Sequence, residues 1–290
     1  MKLMFAADTS FHYMKGGFPG KEAAIAAMKE PAELFSKADF SIVNLENIFG
    51  KKEDGYAIPK IGPNLISDDE YIEYIHGLKP TIVGLANNHT MDWGEDIFFH
   101  TADMLRESGY ICIGAGRNVE EAYKPAIVEK DGIKVAIIAV CENEFGTAKT
   151  DVPGTAGYHL GRLTHAIMDA KKDGALPVIY FHGGNETNPF PSPGKVDLYR
   201  HFIDLGAEAV IAMHTHCPQG YETYNGKPIV YSMGNLFFPA GKEKESWYRG
   251  YLSELDITND GIKLTIHPYR SDSEKVTMLQ GEEKEENNEE

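Results

Sequence analysis

The amino-acid sequence predicts an α/β fold in which two mixed β-sheets pack together and helices flank their outer faces. In the first 115 residues, short apolar runs alternate with segments whose apolar residues recur at helical spacing. In the second half, Asp-Gly and Asn-Gly turns separate β-rich runs, which adds antiparallel hairpins to the parallel strands. The sequence therefore predicts a sandwich of two mixed sheets.

The N-terminal half shows four strand-like runs with helical segments between them. The strands are predicted in KLMFAAD, DFSIVNLE, PTIVGLAN and YICIG, and the helices at 21–38 with a break near Pro31, at 68–78 and at 94–109. Gly109 follows the last of these helices and is a good C-cap residue.

The C-terminal half combines further strands and helices with three hairpins. Hairpins are predicted in AIVEKDGIKVAIIAVC, GYETYNGKPIVYSMGN and YLSELDITNDGIKLTIHPY, strands in LPVIYFH and EAVIAMH, and helices near 161–172 and 195–205. We find no repeat or linker before the acidic end, so we predict one domain, 1–272, followed by a disordered tail, 273–290. The long loops 47–66 and 142–160 are expected to line the active site.

Charge and cysteine content restrict the class of protein. The net charge is −16, which argues against broad binding of nucleic acid or anionic membranes, although a metal ion can still attract an anionic substrate. No apolar run approaches the roughly 20 residues that span a bilayer, and the N-terminus lacks a secretory signal. Three cysteines without CxxC spacing fit a reducing compartment. We therefore expect a cytoplasmic protein without an integral membrane segment.

Polar residues suited to metal binding or proton transfer follow five of the predicted strands. These strand-end residues are Asp8, Asn44 with Glu46, Asn88 with His89, His182, and His214 with His216. Ligands of open α/β sheets bind beyond the carboxyl ends of the strands, so the five sets are expected to converge. His214 and His216 flank one residue, and on an extended segment their side chains would point the same way.

Structural roles compete with the functional ones at several of these positions. Asp8 and Asn88 suit helix N-caps or turns about as well, and His182 alone is more often an ordinary strand-end histidine. Asp92 is predicted as the N-cap of the next helix, because Glu95 stands at the capping-box position. The convergence of all five sets favours a reaction centre.

The chemistry of the set indicates a divalent metal site. Carboxylates, imidazoles and an amide oxygen suit Mn²⁺, Fe²⁺, Zn²⁺ or Mg²⁺. The candidate ligands are too many for one tetrahedral zinc ion and fit two ions that share a bridging carboxylate. Two ions roughly 3.5–4 Å apart can activate water and stabilise the oxyanion of an ester under attack, and a nearby histidine can protonate the leaving group.

The ordered motifs resemble a known family. NLE, ANNHTMDWG, HGGNE, HTHCPQG and YSMGNLFF are similar to motifs of the CapA family, which is associated with capsular poly-γ-glutamate synthesis, within the calcineurin-like metallophosphoesterase superfamily. The resemblance spans roughly residues 3–238. It implies a metallophosphoesterase-like sandwich and metal ligands at Asp8, Glu46, Asn88, His182, His214 and His216.

The resemblance also implies individual roles. Glu46 stands where the wider superfamily has a bridging aspartate, and His89 stands where a non-ligating histidine assists the leaving group. Glu186 is predicted as a second catalytic residue from the HGGNE motif. Ser232, Gly234 and Asn235 are expected near the site. His12 follows Asp8 by four residues, not two, so it does not match the superfamily spacing.

The resulting prediction is a metal-dependent hydrolase with a dinuclear site. Metal-bound hydroxide would attack a phosphoester or a γ-glutamyl-type amide, in a small-molecule or poly-γ-glutamate-like anionic substrate. The alternative is a non-catalytic, metal-containing binding or assembly subunit that handles poly-γ-glutamate for a partner synthetase. The sequence leaves open whether Asn44, His12, Ser232 and Asn235 take part.

Overall fold

The structure is a computed structural model that describes residues 1–240 and 244–280. Its strands are β1 Lys2–Thr9, β2 Phe40–Leu45, β3 Ile48–Phe49, β4 Ile66–Ser67, β5 Ile82–Gly84, β6 Ile111–Ile113, β7 Ala115–Gly116, β8 Ala126–Lys130, β9 Ile133–Cys141, β10 Gly154–Thr155, β11 Leu176–His182, β12 Ala209–Met213, β13 Tyr221–Tyr224, β14 Lys227–Val230, β15 Asn235–Phe237, β16 Arg249–Thr258, β17 Gly261–Ser271 and β18 Val276–Met278. Its α-helices are α1 Lys21–Ala27, α2 Lys29–Phe35, α3 Ile72–Leu78, α4 Gly94–Glu107, α5 Val119–Ala122, α6 Leu160–Lys172 and α7 Pro193–Asp204.

Two large mixed sheets organise the described residues. The first has the order β18-β17-β16-β1-β2-β5-β6, with β15 also paired to β1, and the second has the order β13-β14-β12-β11-β9-β8. Strands β1, β2, β5 and β6 pair in parallel, as do β9, β11, β12 and β14, whereas β8–β9, β13–β14 and β16–β17 are antiparallel hairpins. The predicted α/β class with two mixed sheets is confirmed.

Alternation along the strands places the sheets face to face. In β1, Leu3 and Phe5 join a core shared by both sheets, whereas Met4 joins the core between the first sheet and helices α1–α4. In β11, Tyr180 faces the shared core and Phe181 faces helices α6 and α7. The Tyr180 hydroxyl donates to a carbonyl of β1 at 2.5 Å, which joins the two sheets directly.

Strand register brings the polar strand ends to neighbouring positions. Asp8 in β1 pairs with Asn44 in β2, and His182 in β11 pairs with Met213 at the end of β12. Because these strands are parallel within each sheet, the residues that follow them emerge at a common edge. The fold therefore gathers the strand-end side chains where the two sheets meet.

Two details differ from the sequence predictions. The break between the first two helices falls at Met28, and Pro31 lies in the first turn of α2, where its missing N–H is tolerated. Strand β18 pairs with β17, so the predicted disordered tail begins too early, and 281–290 lies outside the described residues. Pattern reading missed β18 because it has only three residues and depends on its partner strand. No helix among the described residues is long and apolar enough to cross a membrane.

Truncating Phe181 should destabilise the second sheet. Its ring is fully buried against helices α6 and α7, so Phe181→Ala should lower the free energy of unfolding by about 3–5 kcal/mol. Phe190 is 71% exposed, and Phe190→Ala is the matched control that should stay within about 0.5 kcal/mol of wild type. Urea denaturation followed by circular dichroism measures both, and equal effects would contradict this packing.

Candidate metal centre

Six of the sequence-predicted residues meet in one buried cluster between the sheets. Its members, here called the metal-site cluster, are Asp8, Glu46, Asn88, His182, His214 and His216. Each is at most 8% exposed, although all but Asn88 carry an ionisable group. A charge buried in this way requires a compensating interaction.

Glu46 lies at the centre of the cluster without a hydrogen-bond donor. Neither of its buried carboxylate oxygens accepts a hydrogen bond from a described residue. Its Oε1 lies 3.7 Å from Nε2 of both His182 and His216, and 3.9 Å from Nε2 of His89. Burial, followed by the charge of Asp8, raises the pKa of Glu46 well above its usual value. An orphaned buried carboxylate facing imidazole nitrogens is the arrangement that a cation would complete.

Asp8 is held rigidly beside Glu46. Its Oδ1 accepts a hydrogen bond from the Asn44 side chain at 2.8 Å, and its Oδ2 accepts one from the His214 backbone N–H at 2.9 Å. Burial raises the pKa of Asp8 to about 6, against the opposing effects of His216 and these hydrogen bonds. Asn44 therefore orients a candidate ligand, and its own carbonyl oxygen accepts from Asn87 at 3.1 Å.

Two histidines of the cluster, His182 and His214, suit metal binding in their neutral forms. Burial lowers the pKa of His182 and of His214 well below the ordinary value, because it disfavours the charged ring. His182 Nε2 lies 2.9 Å from His214 Nδ1 and 3.0 Å from the Asn88 side-chain oxygen. His216 Nδ1 lies 2.8 Å from Asn235 Oδ1, which fixes the ring orientation.

Two groups of candidate ligand atoms in the cluster share one carboxylate. Glu46, His182 and His214 offer ligand atoms within 4.8 Å of one another, and so do Asp8, Glu46 and His216. Glu46 belongs to both groups. The donor chemistry fits hard or borderline divalent ions, since it combines carboxylate oxygen with imidazole nitrogen.

The backbone of the His-Thr-His segment differs from the predicted extended form. Strand β12 ends at Met213, and the φ angles of His214 and His216 are +96° and +54°. Such values are uncommon for side chains other than glycine and concentrate at functional sites. The two rings converge because the chain turns sharply, with the His214 N–H bound to Asp8, and not because alternate strand residues share a face.

Asp92 is not the N-cap that the sequence predicts. The N-cap position of α4 is Trp93, with no side-chain capping bond, so the expected capping box with Glu95 is absent from this described helix. The Asp92 carboxylate instead lies 2.6 Å from His89 Nδ1 and accepts from the Leu65 backbone N–H at 2.6 Å. Contacts with a distant loop override the local capping pattern, and Asp92 orients His89.

Asn87, which carried no assignment from sequence, ties this turn to the sheet. Its side-chain NH₂ donates to Asn44 Oδ1 and to the Leu45 carbonyl, and its Oδ1 accepts from the His89 N–H at 3.0 Å. The segment therefore fixes Asn88 and His89 relative to strand β2.

The structure adds residues that sequence reasoning missed. Glu142 and Glu144 follow strand β9 and form a third possible metal-holding group with His214. The strand-end rule applied to IKVAIIAVC would have found them. Position 183 is a glycine next to this group, and an added Cβ there would overlap the Glu142 side chain. Lys60 also contacts the site, but its loop sequence carries no signal for that position.

Some of the remaining predicted residues contact the cluster or its supporting turn, and others do not. Asn235 contacts His216, and Ser232 accepts a hydrogen bond from Thr215 at 2.8 Å, so both support the His-Thr-His turn. Glu186 is exposed, although its charge contributes to raising the pKa of Glu46 after the effects of burial and Asp8. His12 contacts the backbone of Ile66 and lines a separate cavity of about 410 Å³.

Comparison with known proteins identifies relatives of the chain. Residues 3–240 match the family described as "Bacterial capsule synthesis protein PGA_cap". The chain is 27% identical to "PGA biosynthesis protein CapA" of Bacillus subtilis (strain 168), over 72% of this chain and 55% of that protein. It is 28% identical to "Capsule biosynthesis protein CapA" of Bacillus anthracis, over 61% of this chain and 45% of that protein.

Two further similarities complete the comparison. A "Probable polyglutamine synthesis accessory protein" of Mycobacterium tuberculosis is 27% identical over 55% of this chain and 45% of that protein. Among solved structures, TT1561 of Thermus thermophilus aligns with a TM-score of 0.48 at 11% identity, over 91% of this chain and 98% of that one. The chain spans about half the length of the curated relatives it matches.

Removing the Glu46 charge should weaken metal binding without destabilising the metal-free protein. Glu46→Gln eliminates a buried charge that has no described donor, so the metal-free variant should be at least as stable as wild type. With Mn²⁺ at 100 times its dissociation constant, wild type should gain roughly 2.7 kcal/mol, and the variant markedly less. Elemental analysis and thermal unfolding measure this.

The matched control for this substitution is Glu33→Gln, on the exposed face of α2. It should bind Mn²⁺ like wild type. Wild-type metal content and stabilisation in Glu46→Gln would contradict the assignment of Glu46.

Affinity for Mn²⁺ should rise with pH. Burial raises the pKa of Asp8 to about 6 and that of Glu46 well above its usual value, so protons compete with metal for both carboxylates in acid. Isothermal titration should show binding at about pH 5 that is at least roughly tenfold weaker than at about pH 7.5. The same affinity at both pH values would contradict this competition.

Proposed function

The chain belongs to the bacterial capsule synthesis family PGA_cap, within the metallophosphoesterase-like superfamily, and on that basis we propose that it is a metal-dependent hydrolase. The observation that carries the proposal is Glu46, a fully buried carboxylate without a described hydrogen-bond donor, surrounded by three imidazoles and Asp8. A protein has little reason to bury such a group except to bind a cation.

Two ions would share Glu46 as the bridging ligand. Glu46, His182 and His214 would hold one, and Asp8, Glu46 and His216 the other, as the two groups of ligand atoms suggest. The Asn88 side-chain oxygen beside His182 supplies a neutral ligand. When bound, the ions supply Lewis acidity and lower the pKa of water into the neutral range.

His89 is the proton donor in this proposal. Its Nδ1 lies 2.6 Å from the Asp92 carboxylate, which accepts only, so this nitrogen carries the hydrogen and Nε2 faces the cluster. Burial lowers the pKa of His89, and Asp92 opposes the shift. To act as the acid, Nε2 must also carry a proton, and the adjacent Asp92 carboxylate favours that doubly protonated ring. Glu186, exposed at the rim, is proposed as the second catalytic residue.

The substrate class follows from the family and the site together. Relatives are named for PGA and capsule biosynthesis, which supports a γ-glutamyl-type amide, while the superfamily supports a phosphoester. Hydrolysis of either bond develops negative charge on an oxygen atom in the transition state, and metal ions stabilise that charge. We propose an anionic, poly-γ-glutamate-like substrate or a small phosphoester, and the predicted cytoplasmic location stays a prediction.

The second candidate is a non-catalytic, metal-containing binding or assembly subunit that handles poly-γ-glutamate for a partner synthetase. The observation in its favour is the accessory role in the name of the Mycobacterium tuberculosis relative. It predicts bound metal without hydrolysis.

Hydrolysis by the Mn²⁺-loaded protein should depend on His89 and Asp8. Bis(p-nitrophenyl) phosphate and γ-glutamyl-p-nitroanilide are suitable chromogenic probes of the two bond types. His89→Gln should lower kcat by roughly 10²–10⁴-fold with metal content retained, because it removes general-acid catalysis. Asp8→Asn should lower metal content and activity together.

His165→Gln is the matched control, since His165 is exposed on α6. It should keep wild-type rates. Activity that survives both His89→Gln and Asp8→Asn would overturn the catalytic assignment, and bound metal without hydrolysis of either probe would favour the second candidate.

A further inference from the structure

Lys60 is a buried lysine that contacts the proposed proton donor. Its side chain is 1% exposed, although it arises from a loop, 51–65, whose one regular element is the short 3-10 helix Lys52–Asp54. Its ammonium donates to Asp92 Oδ1 in a short ion pair, lies 3.0 Å from His89 Nδ1, and lies 3.3 Å from the Asn88 carbonyl oxygen. A buried ammonium is costly unless it is paired, so this contact set determines where the loop docks.

Hydrogen-bond chemistry permits one assignment of donors in this group. The Asp92 carboxylate, paired with the Lys60 ammonium, only accepts, so the His89 Nδ1 at 2.6 Å is the N–H donor to it. Lys60 only donates, so it cannot be the partner of that same N–H. Its hydrogens go to Asp92 Oδ1 and the Asn88 carbonyl oxygen, and the Asp92 carboxylate has three donors: Lys60, His89 Nδ1 and the Leu65 N–H.

The loop that carries Lys60 is fastened to the same turn through its backbone. The Tyr56 N–H donates to the Trp93 carbonyl at 3.2 Å, and the Ile58 N–H donates to the Asp92 carbonyl at 3.0 Å. The Asn64 side chain donates to that Asp92 carbonyl at 2.8 Å. These bonds fix the path of the loop. The Leu65 N–H of the same loop donates to the Asp92 carboxylate at 2.6 Å, and Lys60 adds the positive charge that pairs with it.

We propose that Lys60 is a positioning residue for His89. As the buried counter-ion of Asp92, it holds the carboxylate against His89 Nδ1, which keeps the hydrogen on that nitrogen and directs Nε2 towards Glu46. The inference rests on the proposed role of His89 as proton donor. It assigns a function to the 51–65 loop, because docking of this loop completes the orientation of the imidazole.

The contacts of Lys60 argue against direct substrate binding. Its ammonium is covered by the ring of Phe145 at 5.3 Å and engaged with Asp92, so reaching a substrate would require breaking the ion pair. Lys60 therefore acts through Asp92 and His89.

Nitrogen NMR of ¹⁵N-histidine-labelled, Zn²⁺-loaded protein tests the inference without an activity assay. His89→Gln identifies the His89 resonances by their loss. Wild type should show the Nδ1–H form of His89, and Lys60→Met should lose it, with exchange-broadened signals. Lys60→Arg should retain it, because a guanidinium keeps the charge and the donors. Unchanged His89 signals in Lys60→Met would overturn the proposal.

Two further variants keep the test decisive. Lys51→Met, on the exposed start of the same loop, is the matched control and should leave the His89 signals unchanged. Lys60→Gln keeps an N–H donor without charge and serves if Lys60→Met fails to fold. It should also disturb His89, and a wild-type spectrum for Lys60→Gln would overturn the requirement for a counter-ion.

The kinetic arm separates this inference from the proposed hydrolase function. With either chromogenic probe, Lys60→Met should lower kcat roughly 10- to 100-fold, with KM and metal content close to wild type, because the acid is misplaced. A parallel loss of metal would overturn a positioning role. If wild type hydrolyses neither probe, the hydrolase proposal fails on those substrates, while the NMR result still decides the role of Lys60.

Discussion

The buried carboxylate of Glu46 is the constraint on which the site depends. A negative charge removed from water and left without a described donor is unstable unless a cation or a proton joins it. Imidazole nitrogens at 3.7–3.9 Å are too far for hydrogen bonds but surround the same point. A positive charge in the space between them would compensate the Glu46 carboxylate. The other residues of the cluster would help to hold that charge in place.

The surrounding fold favours the neutral form of two candidate histidine ligands and holds the Asp8 carboxylate in place. Burial disfavours protonation of His182 and His214, which leaves lone pairs available. Asn44 and the His214 backbone hold the Asp8 carboxylate in one orientation. Since these partners come from both sheets, the packing of the sheets sets the spacing of the ligands, and few residues can move without disturbing the others.

Sequence reasoning predicted the parts of the structure that follow from local pattern. Apolar runs identified the strands, and the rule that ligands lie beyond strand ends brought Asp8, Glu46 and His182 together before any coordinates. The same rule would have reached Glu142, which follows β9 directly. The fold class and the composition of the cluster were therefore accessible from sequence.

Features that depend on long-range contacts were not accessible. Asp92 matched a helix cap by local spacing, yet its carboxylate binds a loop about 30 positions away in sequence, through Lys60 and Leu65. The positive φ of His214 likewise accompanies a hydrogen bond from its N–H to Asp8, which is more than 200 positions away in sequence. Such tertiary contacts override propensity, which is why errors of pattern reading concentrate at the site.

Membership of the family restricts the classes of reaction to consider. It does not fix the substrate, because a shared scaffold can support different reactions. The central proposal is that Glu46 would hold two metal ions. Crystals of the Mn²⁺-loaded protein, measured at the manganese absorption edge, test it most directly. The account predicts two anomalous peaks roughly 3.5–4 Å apart, both within coordination distance of the Glu46 carboxylate. Full metal occupancy elsewhere, with no peak at Glu46, would contradict it.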